Sequence, residues 1–315
     1  MSDFKKALTS IDISLIVAEL QVFIDGYIEK IYEDEYHNIY LKIKTVQGSK
    51  GFLVIRVPHL LGRIDDDLSM PETPTEFVKY LRKIISDQRI VRISQAGFDR
   101  VVTIELNSRE RKKIILEFFG TGNMLITDAE QRLIYVQNKL ETTTRKLLTG
   151  EIYKYPQSKE NPFTLGLEEL TTVMKSSTTD IVRTLVVKVG LPPEYSEELC
   201  LRIGEDKNRK ISECDDNTFK KIYDELQNMK KELETPIAML ISESLPAREE
   251  FTTVNSSLHS AITMRAFQVV PIKFKKYSNY PVTTFPTYSE AIITYFLKEY
   301  EAQKHEDEGK KDFTF

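Results

Sequence analysis

Asp99 and Arg100 are two residues of opposite charge at the point where a loop enters a predicted strand. Residues 101–106 alternate with a period of two, which is typical of a strand, and Gly97 marks a bend before it. A guanidinium can pair with a phosphate or stack on a nucleobase, and a neighbouring carboxylate can orient it. The same residues are equally compatible with a turn acid followed by an exposed base.

Asp12 is a second candidate acid. It follows the capping candidates Thr9 and Ser10 and begins a segment whose apolar residues have helical spacing. Gly26 is predicted to end that helix in the left-handed cap position. In the first turn a carboxylate meets the positive end of the helix dipole, so helix capping is the favoured interpretation of Asp12 from the residues alone.

Lys79, Arg82 and Lys83 share one face of a predicted helix that is expected to begin after a Thr73-Pro74 cap. Between Glu76 and Lys113 there are ten basic and five acidic residues, whereas the whole chain has a net charge of −4. This local contrast favours an anionic partner such as RNA. An ordinary solvated basic face on the helix is the alternative.

Gly190 lies in the short turn between two predicted helices. Apolar residues flank the glycine, and Leu191-Pro192-Pro193 leads into the second helix. This is the pattern of a helix-hairpin-helix unit, in which the glycine lets backbone amides approach a phosphate and the second helix offers its positive end. A helical turn without a ligand is equally compatible with the residues.

Several classes of site are disfavoured. Cys200 and Cys214 are the two cysteines and have no ligand spacing, the four histidines are scattered, and the run from Asp65 to Asp67 lacks the alternation of a calcium loop. We therefore expect no metal and no cofactor. Gly120-Thr121-Gly122 predicts a tight turn between strands and not a nucleotide-binding loop. The sequence lacks a signal-peptide core and a membrane-spanning run, so we expect a cytoplasmic protein.

The elements predict an α+β chain of several domains. Residues 1–158 are expected to form a mixed, β-rich domain, residues 159–213 a helix-hairpin-helix domain, and residues 214–315 a helix with a small α/β segment that leads toward a coiled coil. Within the last segment, 267–274 contains Pro271 and is expected to be an edge or bulged strand.

The order of several short motifs resembles the N-terminal half of the NFACT family, in an archaeal-like form. NFACT proteins include the nuclear export mediator factors and bacterial proteins once described as fibronectin-binding. The resemblance covers nearly the whole chain. Its carriers are Ile11-Asp12, Lys30-Ile31-Tyr32, Thr73-Pro74, Phe77-Val78-Lys79-Tyr80-Leu81-Arg82-Lys83, Gly97-Phe98-Asp99-Arg100, Glu117-Phe118-Phe119-Gly120-Thr121-Gly122-Asn123, Gly190-Leu191-Pro192-Pro193 and Thr287-Tyr288-Ser289-Glu290-Ala291.

The resemblance implies a role in ribosome-associated quality control. Family members bind a large ribosomal subunit that holds a stalled peptidyl-tRNA, and they recruit charged tRNA, especially alanyl-tRNA, for template-free extension of the nascent chain. It also implies an N-terminal fold similar to that of formamidopyrimidine-DNA glycosylases, followed by a helix-hairpin-helix domain. The family's functional acid and Asp-Arg pair match Asp12, Asp99 and Arg100.

The resemblance implies a binding protein and not an enzyme. Met1-Ser2-Asp3 lacks the catalytic Pro-Glu start of the glycosylases, and zinc-finger cysteines are missing, so we expect no DNA chemistry. The sequence ends before a sustained heptad pattern, which raises the expectation of a truncated or short member. The alternatives are a glycosylase-like protein that binds DNA or RNA, and a cell-surface protein that binds extracellular matrix.

Overall fold

A computed structural model describes residues 4–65, 68–157, 160–244 and 264–297. Its largest element is an antiparallel sheet of nine strands in the order β4-β3-β2-β1-β5-β6-β7-β8-β9. The strands are β1 (Tyr27–Glu33), β2 (Ile39–Lys44), β3 (Lys50–Arg56), β4 (Leu60–Ile64), β5 (Arg89–Gln95), β6 (Val101–Asn107), β7 (Lys113–Glu117), β8 (Asn123–Thr127) and β9 (Leu133–Val136).

Two meanders make up this sheet. Strands β1 to β4 follow one another in one half and β5 to β9 in the other, and the halves meet where Tyr27 pairs with Arg89. The turn between β7 and β8 contains Gly120 and Gly122, both with positive φ, as the tight-turn prediction requires. A Cβ at Gly122 would lie 2.6 Å from the backbone nitrogen of Pro58, so this turn also packs closely against the first meander.

Helices α1 (Ser10–Leu20) and α2 (Glu76–Ile85) pack against the sheet, α1 on β4 and β5 and α2 on β1. Two predicted helix ends are wrong. The N-cap of α2 is Thr75, whose hydroxyl accepts a hydrogen bond from Val78 N, and not Thr73. Helix α1 ends before a short 3₁₀ turn, and the residue with positive φ beyond it is Asp25 and not Gly26.

A short hairpin of β10 (Leu140–Glu141) and β11 (Lys146–Leu147) leads into the helical region. That region contains α3 (Leu167–Lys175), α4 (Ile181–Thr184), a π-helical turn (Leu185–Val189), α5 (Pro193–Ile203) and α6 (Asp216–Glu234). Asp180 caps α4 by accepting from Arg183 N. Gly190 ends the π-helical turn with φ of +84°, which a side chain adopts only with strain.

A three-stranded antiparallel sheet and a further helix complete the described chain. The strands β12 (Ala238–Ser244), β13 (Met264–Val270) and β14 (Val282–Phe285) lie in the order β13-β12-β14, so β13 is an edge strand. The edge position agrees with the prediction, but the predicted span of 267–274 is wrong, because β13 ends at Val270, directly before Pro271. Residues 288–297 form helix α7. The predicted start of a coiled coil falls on residues outside the described part.

Two large hydrophobic clusters join distant elements, and a smaller third cluster lies between β6–β9 and β11. The first joins the nine-stranded sheet to α1, α2 and α7, and the second joins the helical region to β12 and β13. Both clusters draw on distant parts of the chain, because Ile11 and Phe98 belong to the second and Val269 belongs to the first. The architecture is therefore α+β, as predicted. The domain boundaries at residues 158 and 213 stay a prediction.

Candidate functional site

A cleft of about 320 Å³ lies where three separate segments meet. One wall is the start of α1, a second is the turn that carries Asp99 and Arg100, and the third is the turn after the π-helix. Sequence reasoning singled out residues in each of these segments. The lining residues are Ala7, Leu8, Thr9, Ser10, Phe98, Asp99, Arg100, Val186, Gly190, Leu191, Pro192 and Pro193.

The turn at Asp99 and Arg100 is held at both of its ends. Asp99 Oδ1 accepts a hydrogen bond of 2.7 Å from Arg100 N, and the carbonyl oxygen of Arg100 accepts one of 2.8 Å from Phe118 N. The ring of the buried Phe98 contacts Phe163 edge to face, at 6.1 Å between centroids. Both charged side chains are half-buried, and within the described residues no carboxylate forms an ion pair with Arg100. Its guanidinium is therefore available to an anion in the cleft.

Gln95 joins two walls of the cleft. Its side-chain Nε2 donates to the carbonyl oxygen of Ser10 at 2.9 Å and to that of Asp99 at 2.8 Å. One amide group therefore fixes the start of α1 relative to the turn that carries Arg100. No pattern in the sequence indicated this role for Gln95.

The third wall depends on Gly190. The left-handed conformation of this residue turns the chain from the π-helix into α5, and Leu191 N donates to the carbonyl oxygen of Leu185 at 3.0 Å to close the turn. Pro193 then starts α5, a position that suits proline because the first helical N–H lacks an intrahelical acceptor. The Gly190 backbone thereby faces the same cleft as Arg100.

Asp12 lies beneath the cleft and not in it. It is fully buried, and its carboxylate is surrounded by donors. Oδ2 accepts from Thr9 N at 2.7 Å and Thr9 Oγ1 at 2.9 Å and pairs with Lys5 Nζ at 2.8 Å. Oδ1 accepts from the hydroxyl of Tyr288. The helix-capping interpretation is therefore observed, since Thr9 and Asp12 form a capping box, and Asp12 also has partners far away in the sequence.

Lys5 and Glu194 complete this buried cluster. Lys5 Nζ lies 3.4 Å from Glu194 Oε1, and Glu194 Oε2 accepts a hydrogen bond of 2.8 Å from the side-chain amide of Gln268. Burial on its own lowers the pKa of Lys5, but the carboxylates of Asp12 and Glu194 outweigh it and raise that pKa. Burial raises the pKa of Glu194, and Lys5 only partly opposes this effect.

The basic residues of α2 are not brought to the cleft, since none of its described lining residues belongs to α2. Arg82 connects α2 to β1, because its Nε and Nη2 donate to the carbonyl oxygen of Ile31 at 3.1 and 2.7 Å. Lys79 forms an exposed ion pair of 2.6 Å with Glu76, and Lys83 is exposed. Their assignment to RNA binding stays a prediction.

The described residues contain neither a cluster of metal ligands nor a membrane-spanning helix. No group of three or more histidine, cysteine, aspartate or glutamate side chains is arranged to hold a metal ion there. None of the helices in the same residues is both long and apolar enough to cross a membrane.

The chain is similar to proteins named for ribosome quality control. It is 26% identical over 306 residues to the archaeal Rqc2 homolog aRqcH of Methanocaldococcus jannaschii, a match that covers 93% of this chain and 43% of the relative. It is 22% identical over 304 residues to the human ribosome quality control complex subunit NEMF, which covers 93% of this chain and 28% of that protein. The chain thus spans less than half the length of these relatives.

Solved structures share the fold at lower sequence identity. A fibrinogen-binding protein from Staphylococcus aureus gives a TM-score of 0.66 with 18% identity, covering 90% of this chain and 97% of that one. The N-terminal part of a fibronectin/fibrinogen-binding protein from Streptococcus suis gives 0.64 with 19% identity, covering 93% and 100%. At these identities the likeness concerns the fold alone.

A family sequence model decides the assignment, because it extends over nearly the entire chain. The model that describes the NFACT N-terminal and middle domains matches residues 9–313, a range that includes all three walls of the cleft except Ala7 and Leu8. The resemblance predicted from the short motifs is confirmed. This chain belongs to the family of NFACT N-terminal and middle domains.

Proposed function

We propose that this chain is an RNA-binding module of ribosome-associated quality control and that its cleft contacts RNA. One observation carries the proposal: Arg100, Gly190 and the start of α1 come from three distant segments and line one cleft. The names of the relatives, which describe subunits and homologs of the ribosome quality control machinery, support the broader role.

The chemistry of the cleft suits a nucleic-acid backbone. Arg100 supplies a planar cation that can pair with a phosphate or stack on a base, and Asp99 accepts from a ribose or base donor. Two exposed lysines, Lys6 and Lys188, adjoin the lining segments, next to Ala7 and two residues before Gly190. Arg100 and these two lysines outnumber the carboxylates of Asp99 and Glu194 in and next to the lining, so the cleft and its rim have a positive balance although the chain as a whole is acidic.

Asp12 has a different part in the proposal. Since its carboxylate is buried and already accepts from Thr9, Lys5 and Tyr288, we assign it to holding Thr9 in the cleft wall. Removal of Asp12 would then weaken RNA binding without the loss of a direct contact.

The more specific part of the proposal, the identity of the RNA and of the ribosomal partner, rests on the resemblance to the family. We propose that the RNA is tRNA, with alanyl-tRNA as the preferred form, and that the protein acts on a large ribosomal subunit that holds a stalled peptidyl-tRNA. Template-free extension of the nascent chain would then use the peptide-bond chemistry of the ribosome, and this chain would not itself be an enzyme. A cytoplasmic location follows from this role. We also propose that residues 159–213 form a helix-hairpin-helix domain. The preceding N-terminal domain would have a fold similar to that of the formamidopyrimidine-DNA glycosylases.

The test is binding of alanine-accepting tRNA by the purified chain between about 50 and 200 mM salt. We expect affinity to fall as the salt concentration rises. Arg100→Ala should weaken binding and should reduce the slope of log affinity against log salt by the amount that corresponds to about one phosphate contact. Arg132→Ala is the matched control, because Arg132 is exposed, lies outside the cleft and donates to the carbonyl oxygen of Gly150. Equal affinity of wild type and Arg100→Ala would contradict the proposal.

A further inference from the structure

The start of helix α7 is held by two carboxylates of α1. Glu19 accepts hydrogen bonds from the first amides of α7, with 2.6 Å to Tyr288 N and 2.8 Å to Ser289 N. Asp12 accepts from the hydroxyl of Tyr288. Asp12 and Glu19 are seven residues apart, which places them on one face of α1 about two turns from each other. Helix α7 is therefore attached to the same helix that forms a wall of the cleft.

The carboxylate of Asp12 divides its contacts between α7 and the cleft. Oδ1 contacts Tyr288, whereas Oδ2 contacts the backbone N and the hydroxyl of Thr9, a residue that lines the cleft. A shift of Tyr288 can thus reach the cleft wall through a single side chain. A carboxylate in a dry interior has few alternative partners, so its orientation depends on the donors that surround it.

A second connection runs through Lys5. Its ammonium group lies 2.8 Å from Asp12 Oδ2 and 3.4 Å from Glu194 Oε1, and Glu194 directly follows Pro193 in the cleft lining. Lys5 and Asp12 are both nearly or completely buried. The buried cluster therefore touches two of the three cleft walls, at the start of α1 and at the start of α5.

We infer that Tyr288 is a positioning residue for the cleft and that helix α7 is thermodynamically coupled to occupation of the cleft by RNA. The inference rests on the proposed function for its ligand. Coupling of this kind is reciprocal: if an ordered α7 favours binding, RNA in the cleft stabilises α7 by the same factor. Tyr288 acts here through Asp12 and Thr9 and does not touch the RNA.

The competing interpretation is a core tyrosine that contributes to stability alone. Tyr153 offers a matched comparison, since its buried hydroxyl donates a hydrogen bond of 2.8 Å to the carboxylate of Glu117. Tyr153 belongs to a separate hydrophobic cluster. Tyr288→Phe and Tyr153→Phe each remove one hydroxyl from a buried contact with a carboxylate. A purely structural role predicts the same effect of both on RNA affinity.

The first experiment measures tRNA affinity of both variants across the salt series. We expect Tyr288→Phe to weaken binding about tenfold while its salt dependence stays that of wild type, because no phosphate contact is lost. Tyr153→Phe should stay within about twofold of wild type. Equal effects of the two variants, or a reduced salt dependence for Tyr288→Phe, would overturn the inference.

A second experiment, hydrogen exchange, separates this inference from the proposed function. In the absence of RNA, Tyr288→Phe should speed exchange at the amides of residues 9–13, and Tyr153→Phe should not. Addition of tRNA to the wild type should slow exchange in residues 288–297. Absence of tRNA binding by the wild type would defeat the proposed function, whereas unchanged exchange in the cleft walls of Tyr288→Phe would defeat the positioning role.

Discussion

The side-chain amide of Gln95 lies 2.8 Å from the carbonyl oxygen of Asp99 and holds the Arg100 turn against the first turn of α1. The two residues are at opposite ends of the connection between β5 and β6. Their contact means that the orientation of Arg100 depends on a neutral residue that carries no charge to attract RNA.

Gln95→Ala should therefore weaken RNA binding and lower the free energy of unfolding by about 1–3 kcal/mol, because the carbonyl oxygens of Ser10 and Asp99 lose their donor. Gln21→Ala is the control, since the amide of Gln21 donates to the carbonyls of Val17 and Ile93 away from the cleft. Urea denaturation and tRNA titration measure the two effects. If both variants lose RNA affinity equally, Gln95 has no special role in the cleft.

Gly190→Ala should destabilise the protein by about 1–2 kcal/mol, because φ at this position is +84° and a Cβ is strained there. Gly204, the residue at the other end of α5, has φ of +72°, and a Cβ added there would have no other heavy atom within 4 Å beyond its own chain neighbours. Gly204→Ala should cost a similar free energy. Only Gly190→Ala should reduce affinity for tRNA, and a binding defect shared by both alanine variants would mean that the effect comes from α5 as a whole.

Glu194 should make stability depend on pH in the direction opposite to that of a carboxylate whose pKa is lowered by folding. Burial raises its pKa above the usual 4.5, so the folded state binds the proton more tightly than the unfolded state. Stability from this group is present below about pH 4.5 and is lost as the pH rises through the folded pKa. The free energy of unfolding of Glu194→Gln relative to wild type should therefore increase with pH above 4.5. A difference that stays constant across that range, in chemical denaturation at several pH values, would contradict this.

The three predicted basic residues of α2 should separate by role. Arg82→Ala should destabilise by about 1–3 kcal/mol, since the guanidinium donates twice to the carbonyl oxygen of Ile31. The double variant Lys79→Ala/Lys83→Ala should change stability by less than about 0.5 kcal/mol, because both side chains are exposed. If α2 contacts RNA, that double variant should reduce the slope of log tRNA affinity against log salt by the amount that corresponds to about two phosphate contacts. An unchanged dependence would remove these lysines from the interface.

Local patterns predicted most of the elements but few of the contacts in the site. The helix expected after the Gly190 turn is observed as α5, and the Gly120-Thr121-Gly122 turn is observed between β7 and β8. Strand β4 was not predicted, since Leu60–Ile64 is short and directly follows β3. The C-terminal end of α1 and the N-cap of α2 were misplaced because neighbouring Thr, Asp and Gly residues can each cap a helix locally.

The buried cluster could not be predicted for a different reason. Asp12 and Tyr288 are 276 residues apart, and Lys5 and Glu194 are 189 apart. Periodicity describes one element at a time, so it shows that Asp12 begins a helix but not which donors will surround the carboxylate. The motif around Tyr288 was noticed through the resemblance to the family and not through any pattern that pointed to Asp12.

Site-specific photocrosslinking can show whether RNA occupies the cleft. A benzophenone amino acid would replace Lys188, which is exposed beside the cleft, or Lys83, which is exposed on α2, so that each variant loses one positive charge. With bound tRNA, we expect a strong crosslink from position 188 that Arg100→Ala weakens. A crosslink from position 83 with none from position 188 would contradict this expectation.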